Sequence, residues 1–429
     1  MRAAVVLALG AVLALLAFAC GGGEEGLRTA TPAPSLSATA TAVGTATATA
    51  TAPPQPKYPP KVSLTERGVY LMGPDGAGLR HLTPGQEGLY EFRWSPDGSR
   101  IAVVTSACYA PRVSVIDVDG GGTVEVAAFD GSAGGQEWIV WGPQWSPDGR
   151  RLAVPARRYE EGGPYHTFLV NADGSGEPVE LFEGFALGWS PDGESLAFFT
   201  RSDEGATLNV FDMATHTASV IERGWSIGYL DWSPDGQRMA YSVYPTDTTP
   251  EQAVVIDRNG GNRKIIGPGG SDPAWSPDGK YVAFALIGGT TGEWIALAPA
   301  DGSGKYTRVA SGEAFRWSPK GDAILVWRRE YESTSLSLVS LATRRAVSLA
   351  RDVNPTSNLS FSPDGQQLAF EGSDPYEEEQ YRDALFVVNS DGTGLRKLAR
   401  PSTAIGGGAE WSPDGRYIAF IDTIIAGCE

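Results

Sequence analysis

Gly224-Trp225-Ser226-Ile227-Gly228 has the G-x-S-x-G spacing that presents a nucleophilic serine on a strand-to-helix elbow. Acyl transfer on that elbow needs a histidine base, which comes after the serine in the α/β-hydrolase order. The three histidines, His81, His166 and His216, all precede it. Downstream of Ser226 stands Tyr229-Leu230-Asp231-Trp232-Ser233-Pro234, a strand running into a turn rather than a helix. Metal chemistry finds as little support, since the histidines make no H-E-x-x-H or paired-ligand spacing. Asp117-Val118-Asp119-Gly120 and Asp257-Arg258-Asn259-Gly260 begin like calcium loops, but Ala128 and Pro268 stand where the twelfth-position glutamate belongs. Turn chemistry accounts for both. The sequence thus gives no catalytic residue, no metal ligand and no cofactor.

The elements that must position any site come from a repeat. Ser-Pro-Asp-Gly occurs at Ser95, Ser146, Ser190, Ser233, Ser276, Ser362 and Ser412, and Ser318-Pro319-Lys320-Gly321 is an eighth copy. The copies lie 42 to 51 residues apart, and each comes directly after Trp94, Trp145, Trp189, Trp232, Trp275, Trp317, Phe361 or Trp411. Proline pre-sets φ for the second turn position, aspartate bonds its own backbone and glycine takes positive φ, so the phrase is a tight hairpin turn. After it comes a strand with a small residue inside, as in Ile101-Ala102-Val103, Leu196-Ala197-Phe198 and Val282-Ala283-Phe284, where alanine lets a neighbour approach closely. A third strand, an Asp-Gly turn and a fourth strand complete the unit, as in Trp294–Leu297, Asp301-Gly302 and Thr307–Val309. Such a unit cannot bury its own faces and must stack on its neighbours, and this period with all-β content predicts propeller blades.

Trp-Ser-Pro-Asp-Gly, an aliphatic-Ala-aromatic strand and an Asp-Gly turn together resemble the TolB-type β-propeller repeat over roughly residues 64–425. The resemblance implies an exported bacterial envelope protein, and it is shared with propeller domains of prolyl-oligopeptidase-like peptidases. With eight repeats the chain departs from TolB itself, which has fewer and carries a separate N-terminal domain.

Ahead of Trp94 stand Gly68–Met72 and Leu79–Leu82, joined at Pro74-Asp75-Gly76, which match the third and fourth strands of a blade; after Trp411 there are only a first and a second strand. The expected fold is all-β, an eight-bladed β-propeller of four-stranded antiparallel blades whose last blade is closed by the N- and C-terminal strands. Pairing the ends removes exposed strand edges. Cys108 lies 14 residues after Trp94 and Cys428 lies 17 residues after Trp411, so both come after the second strands of blades that meet at the closure. A Cys108–Cys428 disulfide would staple the seam, with about 5 kcal/mol from so long a loop before strain; the alternative is two unpaired thiols.

Residues 1–19 hold one basic residue, an apolar run and small residues before Cys20, which describe an export signal. Ala17-Phe18-Ala19-Cys20 resembles a bacterial lipobox, with Ala17 in place of the commoner leucine, and implies lipidation of Cys20. An uncleaved anchor helix is the alternative, though the run is short for a full span. Residues 20–60 are then a lipidated N-terminus and a Thr/Ala/Pro-rich stalk with no apolar periodicity, and 61–429 are the propeller. Either reading tethers the protein to a membrane outside the cytoplasm, periplasmic or extracellular, where a disulfide is permitted. The formal charge of −17 excludes nucleic acid, which needs a basic footprint.

Both sets of glycine turns fall on one face of the disc, which leaves the loops from strand two to three and from blade to blade on the other, where propellers place function. Three of those loops are aromatic and charged, carrying Tyr159 and Tyr165, Tyr331, and Tyr376 and Tyr381; Trp138, Trp141, Trp225 and Tyr229 precede first strands. These residues predict an aromatic, acidic rim for a protein or glycan ligand of the cell envelope; the competing reading packs the rings under their own loops. A second function is an exported hydrolase or lyase with an acidic site in the axial funnel, and a third is a structural adhesion or sensor domain.

Overall fold

The computed structural model describes residues 62–63, 68–84, 88–107, 110–129, 138–158, 163–286, 293–329, 334–350, 353–373, 384–400 and 405–422, and every regular element among them is a β-strand. Blades 1 to 7 run in chain order over 89–128, 138–183, 185–224, 226–268, 270–311, 314–348 and 354–400, each an antiparallel four-strand unit. Several strands reach eight residues, Arg100–Ala107 and Thr217–Gly224 among them, longer than the four to six that the turn spacing predicts. Blade 2 splits its first strand into Trp138–Val140 and Gln144–Trp145, both paired with Arg151–Arg158.

The expected closure is present. Gly68–Met72 pairs antiparallel with Ile418–Asp422, Gly68 opposite Asp422 and Met72 opposite Ile418, so blade 8 is built from both ends of the chain. Blade 7 holds a further strand that the repeat does not predict, Val62–Ser63, running parallel to its outer strand Arg396–Arg400. Cys20, Cys108 and Cys428 lie outside the described residues.

The core is eight clusters, one between each pair of adjacent blades. In each, the small residue of one blade's second strand packs in the same cluster as the aromatic residue that ends the next blade's first strand. Ala153 is with Trp189, Ala197 with Trp232, Ala240 with Trp275, Ala283 with Trp317 and Ala419 with Trp94. Blade 6 breaks the pattern twice over. Leu325 replaces the alanine, and the facing tryptophan of blade 7 becomes Phe361, so one side gains volume where the other loses it. Close-packed interiors tolerate that exchange and not one half of it.

The tryptophans also bond across the junctions. Indole Nε1 of Trp145, Trp189, Trp232 and Trp317 donates to the carbonyl of Arg93, Gln144, Gly188 and Ala274 in the preceding blade, at 3.0 to 3.1 Å. Trp94 does the same to Glu410 across the closure at 3.3 Å. Each such bond contributes about 1 kcal/mol.

The Ser-Pro-Asp-Gly turns account for the rest of the regularity. In blade 5, Ser276 N donates to Tyr281 O (2.8 Å) and Gly279 N to Ser276 O (2.9 Å), while Ser276 Oγ donates to Asp278 Oδ1 (2.7 Å) and accepts from Tyr281 N (2.9 Å). All eight turn serines are buried, from Ser276 at 0 % exposed to Ser318 and Ser362 at 5 %. Where Lys320 stands in place of aspartate, Asp322 moves in and accepts from Ser318 Oγ at 2.8 Å. Gly321 is at φ 71°, and a methyl there would meet Pro277 of the preceding turn at 3.2 Å. Glycine is therefore required by conformation and by contact.

Candidate functional site

Apart from the buried Glu371, Lys397 and Asp422 of blades 7 and 8, two gatherings of charge stand outside the repeat's own pattern. The first is the axial end of the inner strands. In blades 2, 4 and 7 the residue before the repeat aromatic reaches toward the next blade: Gln144 Nε2 donates to Ala186 O (2.8 Å), Asp231 Oδ2 accepts from Trp275 N (2.8 Å) and Ser360 Oγ accepts from Trp411 N (3.1 Å). In blades 1, 6 and 8 that position holds Arg93, Arg316 and Glu410. Arg93 is paired with Glu91 and donates to Phe92 O (2.8 Å). Glu91 lies over Gly142 of blade 2, where any side chain would collide with its carboxylate. Arg316 and Glu410 are ringed by protein. Burial pushes Glu410 toward its protonated form, opposed by Arg93 and Arg316, and pushes Arg316 down to about 10, opposed by Glu410. Two guanidiniums and two carboxylates from blades 1, 6 and 8 therefore balance one another.

The second place is the loop-face end of the junction between blades 4 and 5. The inner strands Ser226–Trp232 and Gly270–Trp275 each carry a bulge there, and the bulged residues Tyr229 (φ 42°) and Asp272 (φ 50°) are in the left-handed region. Such strain in residues other than glycine marks positions held by their surroundings. Tyr244, which ends the second strand of blade 4, donates from Oη to Glu251 Oε2 (3.2 Å), and Asp272 Oδ2 accepts from Ser271 Oγ at 3.4 Å. Asp272 Oδ1 is buried and accepts no hydrogen bond. Burial, reinforced by the charge of Glu251, pushes the Asp272 carboxyl up to about 6. Burial also raises Glu251, partly offset by the hydroxyls of Ser242 and Tyr244, and lifts the Tyr229 phenol to about 12, with Asp272 and Glu251 adding to it. Trp225, whose backbone N donates to Tyr244 O at 2.8 Å, is 47 % exposed, and Tyr244 is 40 % exposed.

The predicted rim residues are therefore placed differently from one another. Tyr229 lies at the blade 4–5 junction, whereas Trp225 directly precedes the inner strand of blade 4. Trp141 and Tyr165 pack edge to face, ring centroids 5.2 Å apart, with Phe185 and Phe199 around them and the Arg157 guanidinium over both. Trp138 lies on a strand rather than in a loop, edge-on to Phe129 and Phe168, with Arg158 over its face. Tyr159, Tyr331, Tyr376 and Tyr381 lie outside the described residues. Ser226 of the G-x-S-x-G match begins a blade's inner strand, with a strand and not a helix after it. Among the described residues no group of three or more His, Cys, Asp or Glu could hold a metal ion.

Sequence reasoning missed Glu251, Asp272 and the axial quartet. Two repeat positions find five of these six: three before the repeat aromatic stand Glu91 and Asp272, and one before it stand Arg93, Arg316 and Glu410.

Comparison with known proteins gives the fold a family. An uncharacterized peptidase of Bacillus subtilis, YuxL, is 26% identical over 208 residues, covering 45% of this chain and 28% of that protein. The chain thus matches under a third of that relative's length. The C-terminal WD40 domain of Sif2 superimposes with a TM-score of 0.52 at 14% identity, covering 85% of this chain and 99% of that one, a likeness of fold alone. A putative TolB from Agrobacterium tumefaciens is 16% identical, with a TM-score of 0.38, 83% of this chain and 98% of that one covered. The TolB beta propeller domain family matches residues 60–314, more than half of the sequence, and the chain belongs to that family.

Proposed function

We propose that the protein is an extracytoplasmic, membrane-anchored propeller that acts as a binding or scaffolding module of the bacterial cell envelope, with the loop face as its working side and a protein or glycan as ligand. The observation that carries this reading is the blade 4–5 junction. Among the described residues no cation is paired with its two carboxylates, and Tyr244 is exposed beside them. Exposed aromatic surface beside unmet polar groups is the composition of a recognition patch. Val62–Ser63 supports the choice of face. It runs parallel to Arg396–Arg400, which climbs from the Asp391-Gly392 turn toward the loop face. A lipid on Cys20 and a stalk over residues 20–60 would then leave the loop face clear, and a Cys108–Cys428 bond would close the seam between blades 1 and 8.

The test is recovery of partners from envelope extract by the purified protein and by Trp225→Ala, Tyr159→Ala and Tyr376→Ala. A partner held by the parent and lost from at least one variant is expected. Equal recovery by all four proteins would remove the loop face from the proposal. The hydrolase or lyase reading rests on Glu410, an axial acid that burial pushes toward protonation. Turnover of a polysaccharide or peptide that disappears in Glu410→Gln, at unchanged fold, would favour it over binding.

A further inference from the structure

Glu251 and Asp272 differ from the other shifted carboxylates. The turn aspartates are held by serine hydroxyls and backbone N–H groups, Glu222 is paired with Arg263, and Glu410 has arginines on two sides. Among the described residues no lysine, arginine or histidine is paired with Glu251 or Asp272. Their surroundings are phenols: Tyr229 in the bulge near Asp272, and Tyr244 on Glu251. The Tyr244 ring is 40 % exposed, and Asp272 keeps an oxygen with no donor.

Carboxylates without a counter-ion, flanked by tyrosine side chains, suit one ligand chemistry. The ring quadrupoles attract a cation, the carboxylates neutralise it, and partial burial strengthens both effects. A neutral sugar would use the rings but would leave the negative charge uncompensated, whereas an acidic ligand would add to it. We propose that the blade 4–5 junction is a docking site for a basic side chain, lysine or arginine, of a protein partner, its cation seated between Glu251 and Asp272 beside Tyr229 and Tyr244. The inference rests on the loop face being the working side and adds the chemistry of what it takes.

Acetyl-tetralysine amide is the probe, titrated calorimetrically into the full chain at low salt, with tetraglutamine and chitotetraose as neutral comparisons. The parent binds tetralysine at one site per chain, and Glu251→Gln with Asp272→Asn weakens it at least about ten-fold. Asn tolerates the left-handed conformation at 272, and thermal unfolding of the variant reports whether the fold persists. Asp203→Asn with Glu204→Gln removes the same charge from another loop-face hairpin and is expected to cost less than about two-fold. Equal losses in the two double variants would show a diffuse response to an acidic surface and overturn the site. Binding of chitotetraose in a manner that depends on Asp272, with none of tetralysine, would overturn the cationic assignment in favour of a glycan. The partner-recovery experiment reads the loop face separately: a partner lost from Trp225→Ala in a protein that ignores tetralysine sinks this site and keeps that face, and the converse result does the opposite.

Discussion

On the turn face, one hydrogen-bond pattern repeats eight times, and in each copy a carboxylate accepts from the turn serine's hydroxyl. In Asp148, Asp235 and Asp364 the serine hydroxyl is the leading cause of a depressed carboxyl, and at Asp278 the Lys280 ammonium leads and takes it to about 2. At Asp97, Asp192 and Asp414 partial burial works the other way and is outweighed. At the loop-face end of blades 4 and 5 the same kind of group, a carboxylate, is driven in the opposite direction, Asp272 to about 6. Repetition and electrostatic satisfaction go together on one side, irregularity and unmet charge on the other. Stability is thus concentrated where the sequence repeats, and spare interaction energy where it does not.

The largest effect expected from probing this contrast concerns how the loop-face seam is held. If Cys108 and Cys428 are joined, reduction lowers stability by about 5 kcal/mol before strain, read as a lower guanidinium midpoint with reductant than without. Mass spectrometry of exported protein with both thiols free would sink the pairing. The next effect belongs to the regular half. Leu325→Ala opens a cavity at the blade 6–7 junction and costs about 2–5 kcal/mol. Phe361→Trp overfills it and costs about 1–3 kcal/mol. Together they rebuild the alanine–tryptophan pair of the other junctions, so the double variant should be more stable than the sum of the singles by about 1 kcal/mol or more. Strict additivity in urea melts would mean that the two residues do not share one packing site.

The regular half was legible because it is written in local rules. Proline, aspartate and glycine at fixed offsets name the turn, and alanine against tryptophan names the junction; the orphan strands Gly68–Met72 and Ile418–Asp422 are each half of a blade, and only one partner completes them. The irregular half was not legible for the same physical reason. Asp272 and Glu251 come from different blades, and what makes them a pair is a bulge that turns Asp272 out of the ladder, which no spacing announces. Trp138 and Trp225 looked equivalent as aromatics ahead of first strands, yet Trp138 packs on Phe129 and Phe168 while Trp225 stands in solvent.

Asp272→Asn sharpens the contrast through pH. A carboxyl that titrates near 6 in the folded chain and near 3.8 when unfolded binds more proton when folded, so its contribution to stability falls as pH rises from about 4 to about 6. Glu251, Tyr229 and Tyr244 all face it, and none supplies positive charge. The asparagine variant should exceed the parent by up to about 3 kcal/mol at pH 8 and match it near pH 3.5, measured by urea midpoints. A difference that does not change with pH would mean that Asp272 is not held in an unfavourable ionised state.

Ser276→Ala tests the opposite face and the opposite sign, with the smallest effect. It removes the buried hydroxyl that donates to Asp278 and accepts from Tyr281 N, leaving the Tyr281 backbone N–H without that acceptor. The expected loss is about 1–2 kcal/mol at neutral pH. Asp278 titrates near 2 in the folded chain, below its unfolded value, so its stabilising contribution is complete above about pH 4 and fades as pH falls toward 2. In the variant Lys280 still holds the carboxyl down, and only the share due to serine disappears, so the Asp278 titration seen by NMR should move up without reaching 3.8. Because Asp278 and Asp272 lie in the same blade at opposite ends of one inner strand and its turn, their titrations moving in opposite directions within a single spectrum would tie the contrast to position rather than to residue type. An Asp278 titration left unmoved by Ser276→Ala would show that the turn's hydroxyl network does not govern the charge, and the electrostatic half of the contrast would then rest on the loop face alone.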